Sequence, residues 1–347
     1  MAAWCLSLHA DYACRRSGAC CTSGWPIHVE TERLGEWREA RASGRLAFDE
    51  SGCPDGLPFQ AAHDLPPGAG AVLRMRESGA CVLYDGCARS CAVHRDLGHS
   101  SLPTACQHFP RRCLIEPDRT SVSLSHCCPT VARLAFRTDV APAIVRAPAS
   151  LVGHMTLEGL DAREALPPLL RPGLLADRET YRAWEAFVVR TLALDVTPDA
   201  ALAAIAALTN ELVRWTPGEG ELSRRFEELQ GSERFSAMTV LKFNGVIGEH
   251  RSAPWDCDRP IRQFLAAHAF GNWCAYNGRG LRTVVRSLEA ALQAVRAEAA
   301  RACASAGRAL DEDLLLEAFR AADLRLVHLA DPVALAERLG AVEGPER

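Results

Sequence analysis

Cysteine is the residue type in this sequence whose placement says most about chemistry. Of the 15 cysteines, only Cys257, Cys274 and Cys303 lie beyond residue 128. Thiolates are soft ligands that suit zinc, copper(I) and iron–sulfur clusters. The N-terminus lacks a basic residue before its short apolar run, unlike a secretory signal, so we expect a cytoplasmic, reducing location. There, clustered cysteines are more typical of metal binding or redox chemistry than of disulfides.

Two pairs of cysteines are adjacent in the chain, Cys20–Cys21 and Cys127–Cys128. Neighbouring Cα atoms lie about 3.8 Å apart across a trans peptide bond, whereas a disulfide usually joins Cα atoms about 4.4–6.8 Å apart. Neither pair is therefore expected to bridge itself, and each thiol can serve a separate partner or a shared metal. Cys128 also precedes Pro129, a residue typical of the first helical position, where the helix dipole stabilises a thiolate.

The spacing of the cysteines matches no common metal-binding motif. Cys87 and Cys91 are separated by three residues, which is a weak form of the knuckle found in zinc sites. The pattern also differs from the bacterial ferredoxin run. Spacing alone therefore predicts metal binding without naming the metal.

Short apolar runs predict strands in the first half of the chain, at residues 26–29, 71–75, 81–84, 112–116 and 121–124. A helix is predicted at residues 31–42, where Leu34 and Trp37 lie on one face. A second helix is predicted to begin at Pro129. Residues 49–70 are rich in glycine, proline and aspartate, which predicts an irregular loop.

The second half is predicted to be helical, because apolar residues recur three and four positions apart in residues 178–194, 199–215, 281–303 and 311–326. The sequence therefore predicts an α+β protein with two domains. Residues 1–150 form a small, irregular, cysteine-rich metal-binding domain with short strands and helices, and residues 151–347 form a mainly α-helical domain. The net charge of −4 and the lack of an 18-residue apolar run argue against nucleic-acid and membrane partners.

Three stretches carry a recognisable set of motifs: CRRSGACCTSGWPIHVETERL from Cys14, GACVLYDGCARSCAVHRDLGHSSLPTACQHFPR from Gly79 and SVSLSHCCPTVARL from Ser121. In this order they resemble the YkgJ-like cysteine-cluster family, which is described as a zinc- or iron-chelating domain. The resemblance covers about residues 10–140, and the branch it matches best is the flagellin lysine-N-methylases.

The resemblance implies metal ligands at seven cysteines: Cys14, Cys20, Cys21, Cys81, Cys91, Cys106 and Cys128. It implies an iron–sulfur cluster, with zinc as the alternative. The family commonly has another cysteine before the adjacent pair, and residues 15–19 contain none. Three cysteines are additions to the family pattern: Cys87, Cys113 and Cys127. Two arrangements stay open, one four-cysteine site or two sites completed by His94, His108 or His126.

Flagellin lysine-N-methylases transfer a methyl group from S-adenosylmethionine to lysine side chains of flagellin. The resemblance thus implies S-adenosylmethionine as methyl donor and flagellin as the protein substrate or partner. The residues themselves show no glycine-rich nucleotide fingerprint after a strand and identify no catalytic residue. Two other hypotheses follow from the cysteines: a non-catalytic zinc- or iron-stabilised module that docks a protein, and a carrier of iron or zinc.

Overall fold

The structure, a computed structural model, describes residues 2–63, 65–152, 157–232 and 256–341. It is of the α+β class, with 49% of residues helical and 14% in strands. The chain divides into two compact units. The larger unit comprises Met1–Tyr12, Arg112–His126 and Val131–Arg347, and the smaller unit comprises Ala13–Arg111 and Cys127–Thr130.

The predicted domain boundary at residue 150 falls inside the larger unit. The larger unit takes in both the N-terminal residues and Arg112–His126, because strands from these two segments pair with each other. Of the cysteines in residues 1–128, all except Cys5 and Cys113 lie in the smaller unit. The cysteine-rich unit therefore covers a shorter part of the chain than the predicted domain of residues 1–150. It consists of Ala13–Arg111 and the short segment Cys127–Thr130.

The smaller unit is built from short elements. Its strands form a three-stranded antiparallel sheet, in the order His28–Glu30, Ala69–Leu73, Phe59–Gln60, and a hairpin of Tyr84–Asp85 with Ser90–Cys91. Its helices are Ala19–Thr22, Thr31–Ala42, Ala92–Asp96 and Thr104–His108, with a 3-10 turn at His99–Ser101. Most elements of this unit are short, and each of them buries little apolar surface.

The helix predicted at residues 31–42 is confirmed as Thr31–Ala42. It buries Leu34, Trp37 and Ala40, three positions apart on one face, and the Trp37 indole N–H donates to the Ser101 carbonyl at 3.0 Å. The prediction of an irregular loop at residues 49–70 is wrong at its strands, because Phe59–Gln60 pairs with Ala69–Leu73. The buried Phe59 side chain explains the strand, because burial outweighs the turn-forming composition around it.

Five strands of the described residues form the sheet of the larger unit, in the order Gly159–Asp161, Arg111–Ile115, Arg119–Leu124, Ala2–Leu6, Ile144–Arg146. The predicted strands at 112–116 and 121–124 supply two of its neighbouring strands. Ala2–Leu6 runs parallel to Arg119–Leu124, and every residue of the latter strand is buried. The N-terminal strand, which the sequence pattern did not predict, therefore lies inside the sheet.

Helices make up most of the larger unit: Pro129–Leu134, Ala149–Val152, Arg178–Leu192, Pro198–Leu212, Leu222–Gly231, Asp258–Ala269, Cys274–Asn277, Leu281–Ala306, Glu312–Asp323 and Pro332–Gly340. The larger unit also contains two 3-10 turns, Ser7–His9 and Pro217–Glu219, a π-helix at Leu324–Leu329, and an antiparallel pair of short strands, Leu169–Arg171 and Leu174–Leu175. The four predicted helical segments and the helix start at Pro129 are confirmed. Among the described residues, no helix has the length and apolar character needed to cross a membrane.

Side-chain caps begin several of these helices, since Asp177, Thr197 and Asp311 each accept a hydrogen bond from the backbone N–H three residues later. Their apolar faces share one core that includes Trp184 and Phe264. The helices are thus long enough, and amphipathic enough, to hold polar side chains in fixed positions between them.

Candidate metal centre

Four predicted ligands of the smaller unit share one electrostatic environment. The thiolate charges of Cys20, Cys81, Cys91 and Cys106 would repel one another. Cys21 joins them, because its Sγ lies 3.8 Å from that of Cys20 and its charge would also be repelled by Cys81 and Cys91. We call these five residues the thiol group. The thiol group contains five of the seven predicted ligands, but among the described residues its Sγ atoms do not form a cluster of three or more within 4.8 Å.

Different elements deliver the members of the thiol group. Cys20 and Cys21 lie on the one-turn helix Ala19–Thr22, and the backbone N–H of Cys81 donates to the Cys21 carbonyl at 2.7 Å. Cys91 ends the hairpin and caps the helix Ala92–Asp96. Cys106 lies within the helix Thr104–His108. Cys20 and Cys106 are 86 positions apart in the chain, and their charges would influence each other only because the smaller unit folds.

Burial and mutual repulsion make most of these thiols hard to ionise on their own. Burial raises the pKa of Cys81 to about 12, with repulsion from Cys91 and Cys20 adding to it, and raises the pKa of Cys106 well above its usual range. Burial also raises the pKa of Cys91, against the effect of the backbone N–H groups of His94 and Val93. The hydrogen bond from Cys21 instead lowers the pKa of Cys20 to about 7. A bound cation is the simplest partner for such a set, because a metal ion deprotonates its thiol ligands.

The donor chemistry of the thiol group fits a thiophilic metal. Two thiolates on one tetrahedral zinc ion lie about 3.8 Å apart, the separation that Cys20 and Cys21 show. In a four-iron cluster each iron carries one protein thiolate, so the ligands lie farther apart than around a single ion. Among the described residues, no three cysteines have Sγ atoms all within 4.8 Å of one another. The thiol group is therefore wider than a single-ion site with four thiolates.

The other two predicted ligands, Cys14 and Cys128, have separate surroundings. Cys14 is exposed, and its Sγ accepts a hydrogen bond from the backbone N–H of Arg16 at 3.4 Å. Cys128 is buried and belongs to the short return segment Cys127–Thr130 of the smaller unit. Its neighbour Cys127 donates to the Ser23 hydroxyl at 3.3 Å, just after the helix that carries Cys20 and Cys21. Ligand roles for Cys14 and Cys128 rest on the sequence motifs alone.

Aromatic residues support the thiol group through packing. The Trp25 indole N–H donates to the Cys20 carbonyl at 3.1 Å, and its ring lies 5.8 Å from that of Phe109. Tyr84 packs beneath Gly18, the residue that precedes the one-turn helix. Trp25 and Tyr84 thus position the helix of Cys20 and Cys21.

Gly18 is a position where an added methyl group should disturb the thiol group. It has φ of +75°, and a Cβ atom there would lie 2.6 Å from Cζ and 2.8 Å from Cε2 of Tyr84. We expect Gly18→Ala to reduce bound metal and to destabilise the protein by about 1–3 kcal/mol more than Gly44→Ala. Gly44 is the matched control, since its φ is +72° but no atom lies within 4 Å of the position of its Cβ. Equal metal content and equal urea midpoints for the two variants would contradict the expectation.

A second group of metal-ligating side chains lies in the larger unit, where sequence spacing did not indicate one. His126, His268 and Asp323 each place a ligand atom within 4.8 Å of the others. The sequence pattern predicts His126 only as a supplement to the cysteine ligands, and it indicates no role for His268 or Asp323. Because these residues are separated by 142 and 55 positions in the chain, no short motif could have signalled the group.

Burial sets the protonation of the histidines in this second group. Burial lowers the pKa of His126 to about 3 and that of His9 to about 4, so both rings are neutral at pH 7. Burial also lowers the pKa of His328. For Asp323, burial acts to raise the pKa, but His268, His126 and His328 together outweigh it and the net shift is downward. The result is a buried carboxylate near the neutral rings of His126 and His9.

Comparison with known proteins yields no relative: no protein-family model, no curated protein and no solved structure matches this chain. The likeness to the YkgJ-like family therefore rests on the motifs in the sequence. The chemistry of the chain has to be inferred from its own side chains.

Proposed function

We propose that the smaller unit binds an iron–sulfur cluster and that the chain is an S-adenosylmethionine-dependent protein lysine N-methyltransferase. The observation that supports the metal-binding part is the shared electrostatic environment of Cys20, Cys81, Cys91 and Cys106, whose thiolate charges would repel one another. Four thiolates are the usual ligand set of a [4Fe–4S] cluster. The same four cysteines belong to the motifs shared with the flagellin lysine-N-methylases.

The spacing of the thiols supports a cluster over a single ion, because no three Sγ atoms of the described residues lie within 4.8 Å of one another. A site for one zinc ion needs four ligand atoms packed around a bond length of about 2.3 Å. A cluster instead spreads its thiolates over several irons, which suits thiols that interact without crowding one another. In this proposal Cys21 is a neighbour of the cluster that positions Cys20 through their 3.8 Å contact.

Methyl transfer, the enzymatic half of the proposal, has its own chemical requirements. The methyl group passes from the sulfonium of S-adenosylmethionine to an uncharged lysine amine, which leaves S-adenosylhomocysteine and a proton. Lysine loses its charge readily when it is desolvated, so the substrate side chain needs an apolar slot. Flagellin is the substrate that the family likeness favours.

Anaerobic purification of the full chain tests the metal-binding half. We expect a brown protein with visible charge-transfer absorption and about four irons and four acid-labile sulfides per chain. Elemental analysis and sulfide determination measure this directly. A protein without iron, sulfide or zinc would refute metal binding, whichever substrate the chain acts on.

Binding of the methyl donor tests the enzymatic half separately. We expect equilibrium dialysis to detect S-adenosylmethionine on the cluster-loaded protein, and radiolabelled methyl transfer to flagellin at lysine. The cluster-free protein, prepared by chelation in air, serves as the control. Failure of the loaded protein to bind the donor would remove the methyltransferase proposal while leaving the cluster intact.

One observation favours a second function, a zinc-stabilised module that docks a protein partner. The separation of 3.8 Å between Cys20 and Cys21 equals that of two thiolates on one tetrahedral ion. This alternative predicts a colourless protein with stoichiometric zinc and no affinity for S-adenosylmethionine. The metal analysis described above distinguishes the two.

A further inference from the structure

Three side chains meet in the core of the larger unit, each delivered by a different element. His126 follows the buried strand Arg119–Leu124, His268 lies near the end of the helix Asp258–Ala269, and Asp323 is the last residue of the helix Glu312–Asp323. Nε2 of His268 lies 3.1 Å from Oδ1 of Asp323, and the ligand atoms of all three residues lie within 4.8 Å of one another. Two imidazoles and one carboxylate at this spacing match the ligand sets of zinc and non-haem iron(II) sites.

The carboxylate of Asp323 is held in one orientation. The Ser125 hydroxyl donates to Oδ2, which leaves Oδ1 directed toward His268. Ser125 is itself contacted at 2.7 Å by Nε2 of His328. Hydrogen bonds of this kind, made to the non-ligating atom of a ligand, are the usual means by which proteins fix the geometry of a metal site.

Polar nitrogen atoms at this place are buried without hydrogen bonds. Among the described residues, none pairs with Nδ1 of His126 or Nδ1 of His9 by a hydrogen bond. Both side chains are buried, 2% and 1% exposed. A buried nitrogen without a partner costs about 1–3 kcal/mol, so two at one place point to a bound ligand. Nε2 of His268 lies 3.1 Å from Oδ1 of Asp323, close to the separation of two ligands on one tetrahedral ion with bond lengths of about 2.0 Å.

The walls around the group are apolar. The Phe264 ring lies 4.8 Å from the His126 ring and 4.4 Å from the His268 ring, and it stacks on Phe319 at 4.8 Å. An apolar wall lowers the local dielectric constant, which strengthens the attraction between a cation and a carboxylate.

We propose that His126, His268 and Asp323 bind one divalent first-row transition metal ion, zinc or iron(II), at a site independent of the thiol group. Three protein ligands leave at least one coordination position for water or a substrate atom. His9, whose ring centroid lies 6.0 Å from that of His126, is the nearest further imidazole. The site is a place where a bound water or substrate oxygen can be polarised, a chemistry that thiolate-bound clusters do not supply.

Cobalt(II) is the probe that separates this site from the thiols, because thiolate ligands give an intense near-ultraviolet charge-transfer band and imidazole ligands do not. The full chain is freed of metal with a chelator and titrated with cobalt(II). We expect His268→Gln and Asp323→Asn each to lose one equivalent of cobalt and its ligand-field absorption, with the thiolate band unchanged. His99→Gln and Glu298→Gln are the matched controls, a histidine of the smaller unit and a buried carboxylate of the larger unit.

A variant that keeps all three ligands guards against misfolding. Ser125→Ala removes the hydroxyl that contacts Oδ2 of Asp323 and Nε2 of His328, and we expect it to weaken cobalt binding about 10- to 100-fold. Saturating metal should also raise the melting temperature of the wild type by about 5–10 °C more than that of His268→Gln, which keeps only the thiolate-bound cobalt. Wild-type cobalt content fully accounted for by the thiolate band, or retained by both ligand variants, would overturn the proposal.

Discussion

Replacement of Cys81 by serine is expected to abolish the proposed metal binding by the smaller unit and to unfold much of it. Cys81 is buried, and its thiolate charge would be repelled by those of Cys20, Cys91 and Cys106. Serine offers a hard oxygen in place of a soft thiolate, so one of the four proposed ligands is lost. Metal binding to such a site also supplies folding free energy, about 10–16 kcal/mol for structural zinc in small peptides. A unit of short elements cannot replace a contribution of that size.

The matched control is Cys53→Ser. Cys53 is also buried in the smaller unit, and burial raises its pKa too, but its electrostatic neighbours are Arg74, Asp55, Arg76 and Arg41, not cysteines. We expect Cys53→Ser to keep its full metal content and to lose only the modest stability of a buried polar substitution. Metal analysis and thermal unfolding of both variants make the comparison. Equal metal content in the two variants would show that Cys81 is not a ligand.

Loss of the Arg119 guanidinium is expected to lower the free energy of unfolding of the larger unit by about 3–5 kcal/mol. Arg119 and Glu185 form an ion pair of 2.9 Å, with side chains only 10% and 3% exposed. Glu185 also accepts the backbone N–H of Gly271 at 2.8 Å, so the pair joins the sheet to the helices. The variant Arg119→Met keeps the length and apolar contacts of the side chain but leaves the carboxylate buried without its cation.

The pH dependence gives this prediction a second readout. Burial raises the pKa of Glu185, and Arg119 opposes that shift, so the pKa should rise further in Arg119→Met. A carboxyl group whose pKa is raised by folding stabilises the protein below its unfolded pKa and loses that contribution as the pH rises through the folded value. The destabilisation by Arg119→Met should therefore be larger at neutral than at mildly acidic pH.

Two comparisons control for loss of the arginine itself. Arg133→Met removes a half-exposed ion pair with Glu312, which we expect to change the free energy of unfolding by less than about 1 kcal/mol. Adding Glu185→Gln to Arg119→Met should restore part of the lost stability, since no buried charge then lacks a partner. Urea unfolding measures all of these, and equal losses for Arg119→Met and Arg133→Met would contradict the role given to the buried pair.

Local patterns in the sequence were sufficient to predict most of the long helices. Thr31–Ala42 and the four long C-terminal segments carry apolar residues at helical spacing, and caps such as Asp311 stand at their starts. The same approach failed for Ala2–Leu6 and for Phe59–Gln60, whose strands exist because distant partners pair with them. Strand formation depends on such non-local partners, so a pattern read along one segment cannot predict it reliably.

Cysteine composition by itself determined where this protein concentrates its soft ligands, because a clustering of one residue type is visible along the chain. Only the tertiary structure decided which thiols meet, and that Cys5 and Cys113 belong to the larger unit. It alone also placed His126, His268 and Asp323 together. Each of these three residues is unremarkable within its own segment, and ligand geometry arises only when a strand and two helices pack around a common core.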